Sequence, residues 1–528
     1  MAHPSPAISF HGYSGKELLN IDDIKNNNDE GKGNAIITLM VDYQPVRRPL
    51  GPRQLPLMGN YFEIYPDHIG NHERLLKRFG SVIKTVNMGI TTYITNDPRV
   101  SEVVLGENEF FTKTVSDPVH PLYYMRDETS LFTCDTTSPA FKTAHKFIAP
   151  GLSPRAVRNY FPGMQKAVEA SFTVFDELDR REQAFHAYQF MFKLGGEIIY
   201  KVVLGLETNH FRSVDTPPHE MIRLLGSFLQ LVKQSSLSPR WFTYLPFSKA
   251  GQALKVRSRL VELVEDAIQK CQPGGRSGMG EDEPIQEAAL TATCVVDYLN
   301  RAADEGGCKL PHELLISNLA VLLGAGLSTS AALLSWLVYA LSVYPGNQER
   351  LVQELVDYRK KTSTGWDYEE VLGMPFLDAF VKETLRLHSP TFQTARNAKQ
   401  DVVVPGGWQI PQGSLVIPTF PAVHRNKDYW DNPERFDPDR WLNKTKGKVP
   451  RHRLAFTPFA SGPRGCVGYN VALLETKLVL ANLVYRYAFV NASKEPVVDD
   501  PEFVVVRPSN LYVRAVQRSS WPERTTTE

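Results

Sequence analysis

A long apolar segment near the middle of the chain constrains the fold more than any other feature. From about His312 to Val343, apolar side chains occupy nearly every position around a helical period, so a helix here has no polar face to present to water. Such a helix must be buried by other elements. The sequence therefore predicts a mainly α-helical protein built around one central helix.

Most other long segments after Pro98 repeat apolar residues at helical intervals, whereas two regions have β-branched residues and glycine turns. Residues 81–95 predict a hairpin broken at Gly89, and residues 394–418 predict a second strand cluster. Residues 419–465 lack periodicity over a length that usually indicates function or tight packing. The predicted helices are 156–179, 185–204, 221–232, 250–269, 313–343 and 346–360.

The chain divides into three predicted parts. Residues 1–44 include a polar run and read as a flexible or weakly ordered extension. Residues 45–517, entered through a proline-rich stretch, read as a single globular domain, and residues 518–528 as a C-terminal tail. Residues 272–282 are rich in glycine and proline and predict an internal loop.

Charge and cysteine content exclude several classes of protein. The 528 residues contain 59 Lys and Arg against 58 Asp and Glu, a net charge of +1, which gives no field for nucleic-acid binding. No stretch has the roughly 20 consecutive apolar residues of a membrane span, and the first residues lack a secretory pattern. Five scattered cysteines favour a reducing compartment over a disulfide framework. They are Cys134, Cys271, Cys294, Cys308 and Cys466.

One cysteine lies in a distinctive loop, Phe-Ala-Ser-Gly-Pro-Arg-Gly-Cys-Val-Gly, from Phe459 to Gly468. Cys466 comes just before a predicted helix, whose N–H groups and dipole favour the thiolate that ligates metals. The three glycines allow close approach of a flat group, and Arg464 suits a carboxylate. Alternatives are a buried structural cysteine, a zinc ligand that lacks companions at ligand spacing, and a hydrolytic thiol that needs a histidine partner.

This loop resembles the haem-binding signature of the cytochrome P450 family, Phe-x-x-Gly-x-Arg-x-Cys-x-Gly, at every defined position. The resemblance implies the P450 fold, mainly α with small β-sheets, and haem b as cofactor. It implies that Cys466 is the thiolate ligand of the iron, that Arg464 pairs with a haem propionate and that Phe459 packs beside the thiolate. Gly468 belongs to the same cofactor-binding set. A thiolate ligand favours oxygen activation.

Further motifs occur in the order that the family requires. Lys-Glu-Thr-Leu-Arg places Glu383 and Arg386 on one helix face, as in the P450 Glu-x-x-Arg pair. Pro-Glu-Arg-Phe at 433–436 resembles the family's meander motif, which makes Arg435 the expected third member of a structural triad. Arg396 matches a propionate-binding arginine, with an ordinary strand arginine as the alternative.

The middle of the central helix resembles the P450 oxygen-activation motif. Ala325, Gly326 and Thr329 match it, and Thr329 is expected to contact dioxygen and relay protons. The two glycines of this stretch predict a kink or a close approach of another element. Ser328 replaces the usual acid, and a hydroxyl does not titrate near neutral pH. Hydroxyls back-bonded to helix carbonyls are the alternative interpretation.

A second departure lies at Phe141, where the family usually has tryptophan. His145 remains a possible propionate donor there, and the surrounding residues resemble soluble fatty-acid-hydroxylating P450s fused to a reductase, although no flavin domain follows. Lys142 and Lys146 predict either a basic patch for an acidic reductase or a solvated helix face.

Together these motifs predict a monooxygenase that inserts one atom of dioxygen into a small apolar substrate, a fatty acid or secondary metabolite. Electrons would come from NADPH through a separate P450 reductase or a ferredoxin-type donor. The alternatives are a peroxide-dependent or non-oxygenating haem-thiolate enzyme and a non-enzymatic haem-binding protein. The expected location is cytoplasmic or peripheral to the endoplasmic reticulum. The aromatic residues of segments 109–128 and 216–247 are expected to line the substrate pocket: Phe110, Phe111, Tyr123, Tyr124, Phe228, Trp241 and Phe242.

Overall fold

The computed structural model describes residues 40–41, 44–236, 245, 247–270, 282–359, 365–442, 452–500 and 505–525. Residues 1–39 of the predicted extension, nearly all of the predicted loop 272–282, and Trp241 and Phe242 lie outside the described residues. The described chain is mainly α-helical with small β-sheets, as the sequence predicts.

The helices and strands are numbered here in chain order. The first nine helices are α1 (Tyr61–Ile64), α2 (His68–Phe79), α3 (Pro98–Leu105), α4 (Pro139–Gly151), α5 (Pro154–Ala170), α6 (Phe172–Arg180), α7 (Ala187–Leu204), α8 (Glu220–Ser236) and α9 (Lys249–Lys270). They are followed by α10 (Ile285–Thr291), α11 (Val295–Arg301), α12 (His312–Val343), α13 (Asn347–Tyr358), α14 (Tyr368–Gly373), α15 (Pro375–Leu387), α16 (Phe420–His424), α17 (Asp439–Leu442) and α18 (Tyr469–Arg486). The strands are β1 (Met40–Val41), β2 (Gln44–Pro45), β3 (Val82–Asn87), β4 (Ile90–Thr95), β5 (Phe111–Thr112), β6 (Phe185–His186), β7 (Glu283–Pro284), β8 (Ala302–Ala303), β9 (Arg396–Ala398), β10 (Val402–Val404), β11 (Trp408–Ile410), β12 (Leu415–Pro418), β13 (Tyr487–Asn491) and β14 (Tyr512–Gln517).

The chain forms two compact units. Among the described residues, the smaller unit comprises those within 40–123, 392–433 and 452–465, and the larger comprises those within 124–391, 434–442 and 466–525. The prediction of one catalytic domain over residues 45–517 stays a prediction.

The smaller unit is built on a five-stranded sheet with the order β3-β4-β12-β9-β5. The predicted hairpin is present: β3 and β4 pair antiparallel, and Gly89 takes a left-handed φ of 85° in the turn between them. From the predicted second strand cluster, β12 joins β4 in parallel and β9 antiparallel. The core beneath the sheet is aliphatic and aromatic, with Phe111 and Val416 fully buried.

The larger unit surrounds α12, which is buried along most of its length, as the apolar pattern predicts. By length and composition alone α12 could cross a membrane, but 67% of its most apolar window is buried, as in a core helix. The helix packs closely on α7 at Gly326, where a Cβ would lie 2.5 Å from the Ile199 Cδ1 atom. Glycine therefore permits the close approach that the sequence offered as one reason for it.

One predicted helix is two. The segment predicted as one helix at 156–179 breaks between α5 and α6 at Ser171, which is fully buried. The Ser171 hydroxyl donates to the Val168 carbonyl oxygen at 2.6 Å, and the Ser171 carbonyl accepts from Val174 N, which opens α6. Serine competes with the backbone in this way, and the apolar periodicity carries no sign of the break.

Candidate active site

The central helix α12 has one face that its neighbours do not cover. Ala325 is exposed and Val321 and Thr329 are half-buried, whereas four of the six other residues between Val321 and Thr329, Ser328 among them, are buried. These three positions are four residues apart and so lie on one side of the helix. A small-residue stripe on an otherwise buried helix leaves room for a flat group.

The two hydroxyls of this stretch are back-bonded to the helix. The Ser328 Oγ donates to the Gly324 carbonyl at 2.9 Å, and the Thr329 Oγ1 donates to the Ala325 carbonyl at 2.8 Å. This is the alternative arrangement that the sequence left open for them. Thr329 keeps its oxygen lone pairs for an incoming donor on the uncovered face.

Cys466 lies between the loop that begins at Phe459 and helix α18. Its side chain is accessible to solvent and forms no disulfide. The protein atoms packed around the Cys466 sulfur desolvate it, and this raises the pKa of the thiol. A hydrogen bond from the Gly468 backbone N–H lowers that pKa by a smaller amount. The Gly468 hydrogen bond acts in the direction expected of N–H groups at a helix N-terminus, and the role of Cys466 as a thiolate ligand stays a prediction.

In the smaller unit, the first part of the signature loop is tightly placed. Gly462 has a left-handed φ of 73°, and a Cβ there would lie 2.1 Å from the Leu105 carbonyl oxygen. A side chain at Gly462 would therefore push the loop away from α3. Phe459 is half-buried in the same loop, and the short 3₁₀ turn Gly462–Arg464 presents Arg464.

A buried basic cluster lies beside this loop in the smaller unit. Arg396 is fully buried, forms an ion pair with Glu107 and donates from Nη1 to Thr394 Oγ1 at 3.0 Å. Burial, opposed by Glu107 and reinforced by nearby Arg464, lowers the pKa of Arg396 to about 10. Its Nη2 atom is buried and has no hydrogen-bond partner among the described residues. A buried guanidinium with a spare donor suits an anionic ligand.

His120 belongs to the same cluster, and sequence reasoning missed it. Burial, then the charges of Lys113, Arg396 and Arg464, lower the pKa of His120 to about 3. Its Nδ1 accepts from Leu122 N at 3.1 Å, so we assign the ring proton to Nε2. The Nε2 atom is buried and unpartnered among the described residues. The neutral His120 ring therefore lies within the electrostatic influence of Lys113, Arg396 and Arg464.

The predicted Glu383 and Arg386 pair is fully buried in the larger unit. Arg386 donates from Nε to Glu383 Oε2 at 3.0 Å and from Nη2 to Glu383 Oε1 at 2.8 Å. Three groups from the following segment complete the network on the same carboxylate. They are Arg440 Nε at 2.9 Å, Trp441 Nε1 at 2.9 Å and the Asp437 backbone N–H at 2.8 Å.

The prediction that the Arg435 side chain is the third member of this triad is wrong. That side chain is 72% exposed, and its Nε lies 4.0 Å from Asp437. Arg435 contributes its backbone carbonyl instead, which accepts from Arg386 Nη2 and Arg440 Nη2 at 3.0 Å each. The chain turns after Arg435 so that Arg440, from the short helix α17, reaches Glu383. Spacing alone does not distinguish two arginines five residues apart on an irregular segment.

His145 and its neighbours lie on α4. His145 is exposed, with its ring 5.8 Å from that of Phe141. Lys146 forms an ion pair with Asp304 at 2.9 Å, and Lys142 is exposed. The propionate role of His145 and the reductase-docking role of the lysines stay predictions.

These features fit haem. The unpartnered Arg396 Nη2 and His120 Nε2 atoms suit its carboxylates, the Cys466 thiol can become an iron ligand, and the uncovered face of α12 has small residues. Among the described residues there is no cluster of three or more His, Cys, Asp or Glu side chains that could hold a bare metal ion.

Comparison with known proteins decides the family. The cytochrome P450 family model matches residues 49–515. The chain is a member of the cytochrome P450 family. A solved structure, the cytochrome P450DA heme domain, has the same fold, with a TM-score of 0.77 and 22% identity over 89% of this chain and 98% of that one.

Curated relatives point the same way. The cytochrome P450 monooxygenase alnD of Emericella nidulans is 51% identical over 92% of this chain and 88% of its own length. Cytochrome P450 4F8 of Homo sapiens is 33% identical over 60% of each chain. The protein is accordingly a haem-thiolate P450 monooxygenase, an oxidoreductase that depends on haem. Such enzymes generally use redox partners and apolar substrates.

Proposed function

We propose that Cys466 supplies the thiolate ligand of the haem iron. The complete signature from Phe459 to Gly468, with Cys466 directly before α18, is the main support. Gly468 N–H donates to the sulfur and would stabilise negative charge on it. When bound, haem supplies the oxygen-activating chemistry, and the protein positions the substrate, delivers protons and excludes water.

The Arg396 cluster is proposed to hold the haem carboxylates. Arg396 Nη2 and His120 Nε2 are donors with unmet hydrogen-bonding capacity, and Arg464 adds positive charge. A carboxylate there would accept from the Arg396 Nη2 and His120 Nε2 atoms, which have no hydrogen-bond partner among the described residues. His145 is proposed as a further donor.

Thr329 is proposed to contact dioxygen on the uncovered face of α12 and to pass protons to it. Ser328 is the proposed second member of this route, because it stands where the family has an acid. Since the Ser328 hydroxyl donates to Gly324 in the resting structure, it must rotate away before it can donate elsewhere.

The proposed substrate is a small apolar secondary metabolite or fatty acid, and the proposed electron source is NADPH through a separate reductase or a ferredoxin-type protein. The 51% identity to the P450 monooxygenase alnD of Emericella nidulans, a secondary-metabolite P450, supports the first part. Phe110 and Phe111 belong to a segment predicted to line the substrate pocket. Both are buried in the core of the smaller unit, so they contribute to its packing.

A peroxide-dependent or non-oxygenating haem-thiolate enzyme is the second candidate. Ser328 in place of the acid favours it, because it leaves no titratable group at that position. Turnover with hydrogen peroxide and without a reductase would support this candidate.

Peripheral association with a membrane is the proposed location. In the smaller unit, Leu57 takes a left-handed φ of 63° at a turn tip and is 93% exposed, with Leu50 and Phe62 also exposed nearby in the chain. Exposed Arg48 and Arg53 add charge suited to anionic lipid. Sedimentation with phosphatidylserine vesicles should bring down the wild type and much less of L57D; equal sedimentation would contradict the proposal.

The test of function is a Soret titration of the purified ferric protein with long-chain fatty acids, terpenoids and aromatic metabolites. A low-spin to high-spin shift with one class would identify the substrate class for reductase assays. The C466A variant, purified in the same way, should lose the thiolate Soret band and all activity. A C466A protein that oxidises substrate at the wild-type rate would refute the role of Cys466.

A further inference from the structure

A carboxyl group with no assigned role lies where three helices of the larger unit meet. Glu475 on α18 is 1% exposed, and its Oε2 accepts a hydrogen bond of 2.9 Å from Ser330 Oγ on α12. Its Oε1 has no hydrogen-bond partner among the described residues. A Cβ built on Gly195 of α7 would lie 3.7 Å from that Oε1 and 3.7 Å from the Leu327 carbonyl oxygen.

The surroundings of Glu475 keep it uncharged. Burial raises the pKa of Glu475 to about 8, and the Ser330 hydroxyl opposes this rise by less. An ionised carboxylate with one hydroxyl donor would be poorly compensated in this interior. At neutral pH the group is therefore a carboxylic acid that accepts from Ser330.

The position of this hydrogen bond in the chain gives it significance. Ser330 directly follows Thr329, and Glu475 lies in the second turn of α18, the helix that follows Cys466. The bond thus joins the turn that carries the proposed proton donor to the helix that follows the proposed iron ligand. Apolar contacts between helices tolerate small slips, whereas a buried hydrogen bond has a fixed length and direction.

We propose that Glu475 is a positioning residue that holds the Thr329 turn of α12 in register with the Cys466 helix through its hydrogen bond with Ser330. This rests on the proposed roles of Thr329 and Cys466. Glu475 acts on the reaction through these groups and does not itself touch the reacting atoms.

The experiment compares five holoenzyme variants. E475L and S330A remove the bond, whereas E475Q keeps a carbonyl acceptor of the same shape. Two controls match them: T476V removes a fully buried hydroxyl that neighbours Glu475, and S335A removes a buried serine of α12 that bonds only to the Ala331 carbonyl. For each variant we would measure the thermal midpoint, the ratio of thiolate-ligated to inactive Soret band in the ferrous carbonmonoxy form, and the dissociation constant of imidazole.

E475L and S330A are expected to lower the Soret ratio and to change the imidazole constant by about fivefold each, the effect of one buried hydrogen bond. E475Q, T476V and S335A should match the wild type. The proposal is overturned if E475L and S330A lower only the thermal midpoint, or if E475Q is as impaired as E475L.

The design separates failures. If E475L does not fold, S330A removes only a hydroxyl and decides alone. If the wild type itself lacks the thiolate band, the proposed role of Cys466 fails first, and that result is distinct from any effect of Glu475.

Discussion

Two buried ionic networks in this P450 differ in how completely their charged groups are paired and hydrogen-bonded within the protein. In the larger unit, the Glu383 carboxylate accepts from Arg386, Arg440, Trp441 and a backbone N–H. In the smaller unit, Arg396 pairs with the Glu107 carboxylate, and its Nη2 has no hydrogen-bond partner in the part of the chain that the structure describes. A self-satisfied network holds the fold, whereas an under-compensated one is suited to a ligand that brings negative charge.

The largest effect should come from the self-satisfied network. E383Q removes the charge that faces two buried arginines, and breaking a buried pair in this way costs about 3–5 kcal/mol. We expect the free energy of unfolding to fall by that order in urea titrations, with R435Q, on the exposed arginine, as the near-neutral control. Equal stability of E383Q and R435Q would contradict the view that the buried Glu383 network, and not the exposed Arg435 side chain, stabilises the fold.

Changes in the Arg396 network should weaken haem binding more than they lower the free energy of unfolding. We expect R396L paired with E107Q, which avoids an orphaned carboxylate, to speed haem transfer to apomyoglobin by about tenfold, since one charge-assisted contact is lost. E107Q alone is the control. If the double variant retains haem as the wild type does, the cluster is not a carboxylate site.

Glu475 adds a third kind of buried group, neutral and half-satisfied, and pH tests it. Its folded-state pKa of about 8 exceeds the ordinary value of 4.5, so between these values the folded protein binds more protons than the unfolded chain. Stability should therefore fall as pH rises through this window, by up to about 1.4 kcal/mol per unit. E475Q should show a smaller fall. Parallel pH profiles for the two proteins would show that Glu475 is ionised at neutral pH.

The smallest effect concerns His120. Because its pKa of about 3 keeps it neutral above pH 5, haem retention should not depend on His120 titration between pH 5 and 8. H120F should speed haem transfer by only about threefold, as for a neutral hydrogen bond. A step in the wild-type profile near pH 6.5 that H120F abolishes would mean that the histidine is charged there.

The sequence predicted the structural elements that depend on patterns within a few residues, and it missed those that no such pattern marks. The helix α12 and the hairpin of β3 and β4 followed from periodicity and from Gly89, because side-chain pattern and turn chemistry act within a few residues. The break at Ser171 escaped, because one serine hydroxyl competing with the backbone leaves apolar spacing unchanged.

The site divides in the same way. Cys466, Arg464 and Thr329 stand in motifs whose spacing identifies them. Arg440 lies in the four-residue helix α17 and His120 in an irregular segment, and for both residues the fold, not the spacing, decides where the side chain lies. No periodic or motif signal in the chain could have selected them.

The back-bonded hydroxyl of Thr329 bears on how catalysis is paced. Side chains change rotamer in picoseconds to nanoseconds, far faster than turnovers of about 1–1,000 per second. Breaking the hydrogen bond from the Thr329 hydroxyl to the Ala325 carbonyl is therefore too fast to limit the rate of any step. It sets what fraction of molecules have the hydroxyl free at a given instant, about one in five for a hydrogen bond worth about 1 kcal/mol. In the proposed role of Thr329, this contact sets the probability that the hydroxyl is free at each proton transfer.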